Sequence, residues 1–339
     1  MSPHGIATVA RQEFRLRIRT GRWRWLLLAW LGVVTGITAL LYNGAQNAER
    51  TDVGALMYGG LTLFVLALAA LVAPALAAQS VNGDRERGVL ATLQVTMLTA
   101  GDIAVGKLVA AWGTALVFLA LTVPDILWCV SAGGVQASRV LVVTLVVGLL
   151  LGVICAIALA LSALLRRTTT SGVLAYLSVF ALSVGTLILF GLGSAATAEK
   201  VKEPITNYVC TPNADGTNEE CHEENTGQTY ETTRWRTDRT WWLLAPNPFV
   251  ILADAAPQTE RQRHGGSLDP LGAMSKSVRE LRLGPDERNS YGPEGRPRGG
   301  VVWPWGLGFD FALAGGALWL TTRRLHTPIR KLAKGARIA

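Results

Sequence analysis

Residues 140–165 read VLVVTLVVGLLLGVICAIALALSALL, a run of 26 positions without a charged side chain. About 20 mostly apolar residues are enough for a helix to cross the hydrocarbon core of a bilayer. Five other runs have the same character: Trp25–Tyr42, Ala55–Ala78, Leu108–Val130, Gly172–Gly193 and Val301–Leu320. The pattern predicts an all-α integral membrane protein with six transmembrane helices.

The composition of the whole chain favours the same class. Charged residues make up 17% of it, against about a quarter in soluble domains, and mean hydropathy is +0.31. The first run is short, and the sixth contains Pro304 and Asp310, so an interfacial or re-entrant segment is the alternative for both. The first run also follows basic residues, as a signal peptide does, but no small-x-small cleavage site comes after it. We therefore predict a retained helix.

The basic residues predict the orientation, because Lys and Arg of short connections stay on the cytoplasmic side. Seventeen of them lie in the N-terminal segment, the connections after the second and fourth runs, and the C-terminal tail. The two short connections on the other side carry only Arg50 and Arg139. We expect both termini in the cytoplasm. The net charge of +8 is then a topology signal, and no soluble basic module suggests a nucleic-acid partner.

The predicted organisation has five parts. Residues 1–24 form a cytoplasmic interfacial amphipathic helix, or alternatively a frayed basic anchor. The other parts are helices one to five at 25–193, an extracytoplasmic insert at 194–300, helix six at 301–321 and a cytoplasmic basic tail at 322–339. Residues 258–300 of the insert have a weakly ordered composition. Residues 241–254 are apolar but contain two prolines, which favours a short re-entrant or interfacial element.

Four side chains outside the inner connections are candidates for special roles. Cys210 and Cys221 lie in the insert, where an oxidising face favours a disulfide; a metal site that also uses His222 is the rival, without an apparent fourth ligand. Asp125 and Asp310 lie within spans and predict a transport pathway or buried partners. The alternative for Asp125 is that it reaches outer water or caps the break at Pro124.

The connection between the second and third runs, residues 80–107, reads SVNGDRERGVLATLQVTMLTAGDIAVGK. It predicts a turn at Asn82-Gly83, a charged cluster, a short amphipathic helix at 89–97 and a second turn at 99–102. Residues 101–107 fit G-x-x-x-x-G-K, but Leu108 lacks the hydroxyl that would hold Mg²⁺. We predict no nucleotide, metal or other cofactor site in this chain.

Residues 84–94 (DRERGVLATLQ) and 100–108 (AGDIAVGKL) resemble the membrane subunit of type-2 ABC transporters, the exporter-type permeases. Glu86, Arg87 and Gly106-Lys107 match the pattern of that family, whereas Gly88 comes early and Val89 stands where Thr is common. Residues 12–14 (QEF) and 247–249 (NPF) resemble two further family elements. The insert is longer than usual.

The resemblance implies a permease subunit rather than an enzyme. A separate cytosolic ABC ATPase would bind ATP and Mg²⁺, and a second permease copy or a paralogue would complete the pathway among the lipids of a bacterial plasma membrane. The helix at 89–97 would dock on the ATPase. The residues expected to couple the two subunits are Glu86, Arg87, Leu90, Leu93, Met97 and Lys107.

Two other functions remain open at this point. One is a proton- or ion-coupled secondary transporter using Asp125 and Asp310, although no internal repeat is visible. The other is a membrane anchor without transport activity. An intramembrane hydrolase lacks support, because all four histidines lie outside the spans. The sequence selects no substrate.

Overall fold

The computed structural model describes residues 2–19, 21–47, 53–86, 88, 98–212, 219–257, 269–283 and 299–325, with the backbone alone at 22, 203–212 and 219–225. By length and composition, five helical segments in this part of the chain are able to cross a membrane. They are Trp23–Asn47, Val53–Glu86, Ala100–Ser131, Ala137–Leu164 and Thr168–Ala196. They confirm the prediction of a helical, multi-pass membrane protein and coincide with the first five predicted spans.

Among the described residues of the N-terminal half there are six helices. They are α1 (Pro3–Ile18), α2 (Gly21–Asn47), α3 (Val53–Ala77), α4 (Ser80–Glu86), α5 (Ala100–Ala120) and α6 (Val123–Ser131). A turn at residues 78–79 separates α3 from α4. The third predicted run is divided between α5 and α6, because the ring of Pro124 is suited to a first helical turn and not to a helix interior.

The C-terminal half begins with α7 (Ala137–Leu164) and continues through the fifth candidate span. That span consists of α8 (Thr168–Phe180), a π-helix (Ala181–Gly185) and α9 (Thr186–Ala196). In the described residues that follow, there are a hairpin and three α-helices: β1 (Glu199–Pro212), β2 (Glu219–Arg234), α10 (Pro248–Ala255), α11 (Pro270–Arg282) and α12 (Trp303–Leu325).

The interior of the bundle is built from α3, α5 and α7. In each of the three candidate spans that contain these helices, 56% of the most apolar 18-residue stretch is buried. The corresponding share is 17% for the first candidate span and 11% for the fifth. Leu150, Leu151 and Ile154 of α7 lie in the main core, and α7 packs against α3, α5, α8 and α12. The outward faces of α2 and of α8–α9 remain apolar, as expected of helices that face lipid.

The insert differs from the sequence predictions in two respects. First, β1 and β2 form an antiparallel ribbon, with a register shift between Pro204 and Thr206, which adds two strands to an otherwise helical chain. Second, the prediction of weak order is wrong at residues 269–283. Asp269 accepts a hydrogen bond from the backbone N–H of Gly272 (2.7 Å), which caps α11, and α11 packs on α10.

The stretch at 241–254 contains two prolines and does not form one straight helix, as predicted. A 3₁₀ turn at Trp241–Leu243 precedes α10, and Pro248 occupies the first turn of α10. The carbonyl of Ala245 would lie 1.9 Å from a Cβ atom at position 306. Gly306 therefore allows this part of the insert to pack against the start of α12.

Helix α12 is not among the five candidate spans, although it is a continuous helix of 23 residues. Pro304, Asp310 and four glycines lower its mean hydropathy. It packs most extensively on α7, and it also contacts α5 and α10.

Candidate functional site

The most completely paired ionic group in the described bundle is the ammonium of Lys107 on α5, which is fully buried. Its Nζ donates to a carboxylate oxygen of Glu13 on α1 and to one of Asp84 on α4. It also donates to the backbone carbonyl of Ser80 (3.0 Å). An ammonium has three donors, so each has an acceptor. We name Glu13, Asp84 and Lys107 the ion cluster.

Local features of α1 and α5 bring these charges together. Thr99 and Asp102 form a capping box that starts α5 at Ala100. Asp102 also accepts a hydrogen bond from the backbone N–H of Ser2 (2.8 Å), which joins the beginnings of α1 and α5. At Gly106 an added Cβ would lie 2.7 Å from Cβ of Val9. The absence of a side chain there lets α1 lie against α5.

Helix α4 is held in place from the other side. Ser162 of α7 accepts hydrogen bonds from the backbone N–H groups of Val81 and Asn82, each at 3.2 Å. The Asn82 amide donates to Ser171 Oγ on α8 (3.2 Å), and Ser171 Oγ donates to the carbonyl of Ala78 (2.9 Å). Through α4, the ion cluster is therefore connected to α7 and α8.

The electrostatics of the ion cluster extend to Arg17 of α1. Its guanidinium donates to the carbonyl of Leu76 (2.9 Å) and to the hydroxyl of Thr114 (3.3 Å). Burial lowers the pKa of Arg17 below its usual value, and the nearby Glu13 carboxylate opposes that shift. Two cations thus accompany two carboxylates. A buried charge without a partner costs several kcal/mol, so these groups favour a single arrangement of α1, α4 and α5.

The predicted coupling residues have different positions. Glu86 ends α4 and accepts a hydrogen bond from the Thr168 hydroxyl at the start of α8 (3.0 Å). Lys107 lies inside the bundle and not at its surface. The other four, and the helix predicted at 89–97, lie outside the described residues: Arg87, Leu90, Leu93 and Met97.

The two intramembrane aspartates are buried and lie on different helices of the bundle. Asp125 on α6 is 3% exposed, with Thr35 of α2 as its hydrogen-bonding neighbour. Asp310 on α12 is 1% exposed. Asp125 Oδ2 and Asp310 Oδ1 have no hydrogen-bond partner among the residues that the structure describes. Helix α6 packs on α2 and α3, whereas α12 packs on α5, α7 and α10.

The insert is fastened to the bundle by three buried polar residues. Asn247 caps α10 through the backbone N–H of Phe249 (2.9 Å), and its amide donates to the Ser183 carbonyl (2.6 Å) in the π-helix. Asp254 accepts hydrogen bonds from Arg279 of α11 and from two N–H groups at the start of α12. Asp269 forms an ion pair with Arg139 of α7.

Neither Cys210 nor Cys221 can be described at the level of side chains, but their backbones are register partners across the β1–β2 ribbon. The disulfide therefore stays a prediction.

The sequence analysis did not predict the ion cluster or the polar residues of the insert as sites. One signal was available for the cluster: only four acidic residues lie on the predicted inner side. All four are bonded, namely Glu13 and Asp84 to Lys107, Glu86 to Thr168, and Asp102 to Ser2 and Thr99.

A helical bundle with five candidate spans and a charged cluster at the end of two of them defines a multi-pass membrane protein. The family model described as "ABC-2 family transporter protein" matches residues 7–237, which is more than half of the chain. The chain therefore belongs to the ABC-2 transporter family and is a membrane subunit of that class. Membership implies association with an ABC ATPase subunit. No single curated protein matched the chain.

Proposed function

We propose that the chain is the pathway-forming permease subunit of an ATP-driven exporter. In this proposal two permeases, identical or paralogous, pair in the membrane and a separate cytosolic ATPase binds the segment at residues 80–107. The observation that carries it is the ion cluster. It bonds α4, at the start of that segment, to α5, which contains the end of the segment, and to α1. A displacement of the segment would thus reach three helices at once.

The driving force would be a difference in the affinity of the ATPase for the segment between nucleotide states. Glu86, Arg87, Leu90, Leu93 and Met97 are the proposed contacts. Lys107 would act as a positioning residue, because it lies inside the bundle. Asp125 and Asp310 remain candidate pathway residues, and family membership favours ATP over an ion gradient as the energy source.

The proposed topology has six spans, both termini in the cytoplasm and the β1–β2 ribbon outside a bacterial plasma membrane. The distribution of 17 basic residues against two supports it. The extensive packing of α12 on α7, an interior helix of the bundle, supports α12 as the sixth span. At about 1.5 Å per residue, α12 is about 34 Å long, enough for a hydrocarbon core of about 30 Å.

The first experiment asks for the partner. The tagged full-length chain is extracted gently from its native membrane, and the co-purifying proteins are identified. We expect an ABC ATPase subunit in a fixed ratio to the permease. Extraction of the folded chain without any ATPase, together with transport driven by a proton gradient, would contradict the proposal.

The second experiment tests the coupling segment in the purified complex. The double charge reversal Glu86→Lys with Arg87→Glu is expected to make ATP turnover resemble that of the isolated ATPase. The reason is that the charged residues of the segment would then repel the ATPase surface that they are proposed to attract. The matched control reverses an exposed pair of the insert, Lys276→Glu with Glu280→Lys. It is expected to leave turnover unchanged. Normal turnover and assembly in the first variant would contradict the assigned role.

A further inference from the structure

A cavity of about 590 Å³ lies between α4 and the beginning of α8. One of its walls consists of Gly172, Val173 and Tyr176 of α8. Val173 is 66% exposed and Tyr176 is 40% exposed, so this wall belongs to the outward, lipid-facing side of the fifth candidate span. The volume of the cavity is in the range of small-molecule binding sites, about 300–1,000 Å³. We name this cavity, which has the exposed Val173 and Tyr176 in its lining, the α4–α8 pocket.

The opposite end of the α4–α8 pocket is polar. Gln79, Glu86, Thr168 and Thr169 line it, and one oxygen of Glu86 accepts a hydrogen bond from Thr168. A carboxylate has room for several donors, so Glu86 retains acceptor capacity. The pocket thus changes from polar to apolar along the direction of α8.

Three arginines are adjacent in sequence to residues that line this polar end: Arg85 precedes Glu86, and Arg166 and Arg167 precede Thr168. Arg85 is fixed by hydrogen bonds to Asn82 and to the carbonyl of Leu165. Arg166 is close enough to Arg85 to interact electrostatically with it, and both Arg166 and Arg167 are exposed immediately before Thr168. A carboxylate beside several guanidinium groups is complementary to a ligand that carries an anionic and a cationic group close together.

We propose that the α4–α8 pocket binds an aminophospholipid from the leaflet at this end of the spans. The phosphate accepts hydrogen bonds from Arg166 and Arg167, since guanidinium geometry suits phosphate oxygens. The primary ammonium donates to the Glu86 carboxylate, and the acyl chains lie along Val173 and Tyr176. Basic pockets between membrane helices are a known means of binding lipid headgroups. The site requires that the spans cross a bilayer. It shares Glu86 with the proposed ATPase contact, but lipid binding itself does not require the ATPase.

This chemistry separates the aminophospholipid from other occupants. A soluble anion would leave the apolar wall unused. An anionic lipid without an amine would leave Glu86 without a cation, and a quaternary ammonium has no N–H to donate to it. We therefore expect phosphatidylethanolamine to bind more tightly than phosphatidylglycerol or phosphatidylcholine of the same acyl chains.

The test is a lipid titration of the purified, delipidated full-length chain, followed by native mass spectrometry, without ATP or ATPase. Gly172→Trp places a large side chain in the pocket, and Gly191→Trp on the same span is the control. A Cβ atom at either glycine meets no atom within 4 Å, so both variants are expected to fold. Gly172→Trp should weaken phosphatidylethanolamine binding about tenfold or more, and Gly191→Trp should not.

A second variant tests the headgroup. Glu86→Gln should lower the preference for phosphatidylethanolamine over phosphatidylglycerol about tenfold, while the phosphate contacts remain. Equal binding of the three lipids by the wild-type chain would overturn the assignment of an aminophospholipid. Unaltered binding in Gly172→Trp would overturn the assignment to this pocket. Because no ATPase is present, neither result depends on the coupling experiment.

Discussion

The loss of a single partner in the ion cluster should matter more than the removal of the whole cluster. Lys107→Met leaves the buried carboxylate of Asp84 and the half-buried carboxylate of Glu13 without this cation. Such an uncompensated buried charge costs about 3–5 kcal/mol. We expect a clearly lower unfolding temperature for this variant, measured on the purified chain in detergent.

A neutral triple variant provides the control for that prediction. Glu13→Gln, Asp84→Asn and Lys107→Met together remove both the attraction and the uncompensated charges. Replacement of a buried ionic group by neutral residues is often close to neutral in stability. The triple variant should therefore regain most of the lost thermal stability. If it is no more stable than Lys107→Met alone, the loss arises from packing and not from charge.

Asn247 offers a second test at the scale of one residue, because its two side-chain groups have separate functions. Its Oδ1 caps α10, and its amide Nδ2 bonds Ser183 and Thr186 at the π-helix. Asn247→Asp keeps an acceptor for the cap but places a carboxylate against the Ser183 carbonyl. Hydrogen exchange in α8–α9 should become faster in this variant, and exchange in α10 should change little.

Asn247→Ala removes both functions and should destabilise the chain by about 1–3 kcal/mol, the usual cost of leaving buried polar groups without partners. Faster exchange is then expected in α10 as well as in α8–α9. Equal exchange profiles for the Asp and Ala variants would show that the bond to the π-helix contributes nothing separate from the cap.

At the scale of secondary-structure elements, the register of the β1–β2 ribbon supports the predicted disulfide. An isolated two-stranded ribbon is marginally stable in water, and Cys210 and Cys221 are opposite each other in its register. A disulfide there would close a loop worth about 3 kcal/mol in the chain-entropy treatment. Non-reducing peptide mapping should find the two cysteines in one linked peptide pair. Alkylation of both thiols without prior reduction would contradict the disulfide.

The elements also show what the sequence can reveal. The apolar runs predict the first five spans because span length and apolarity are local properties. Their bounds were less accurate: α5 begins at Ala100 and not at Leu108, since a capping box at Thr99 starts the helix ahead of the apolar run. Asp102 and Lys107 extend that helix beyond the apolar run, and the hydrogen bonds and ion pairs of their side chains compensate the burial of their charges.

Contacts between residues that are far apart in the chain could not be predicted from the sequence. Glu13 and Lys107 are 94 positions apart, so no periodicity in the sequence connects them. The π-helix has no compositional signature, and the amide that satisfies its Ser183 carbonyl belongs to a residue 64 positions later. The sequence analysis did not predict α11, because most of the residues of this helix are polar and only Leu271, Ser275 and Val278 are buried.

At the scale of the whole molecule, the number of spans depends on α12. Asp254 binds the backbone N–H groups of Val302 (2.6 Å) and Trp303 (2.9 Å), which compensates the first donors of the helix. Two arginines, Arg323 and Arg324, lie in its last turn. If α12 crosses the membrane as proposed, its start bound to the insert and its basic end about 34 Å away place the C-terminal tail opposite the β1–β2 ribbon.

This arrangement predicts the labelling of single cysteines by a membrane-impermeant thiol reagent, in a chain whose four native cysteines are replaced. Gln228→Cys in the ribbon should react in intact cells, whereas His4→Cys and Lys331→Cys should react only after permeabilisation. Labelling of Lys331→Cys but not His4→Cys in intact cells would mean that α12 does not cross. Labelling of both, with Gln228→Cys protected, would reverse the orientation and place the ion cluster and residues 80–107 outside. In that case the ATPase could not reach the segment, so this experiment also constrains the proposed mechanism.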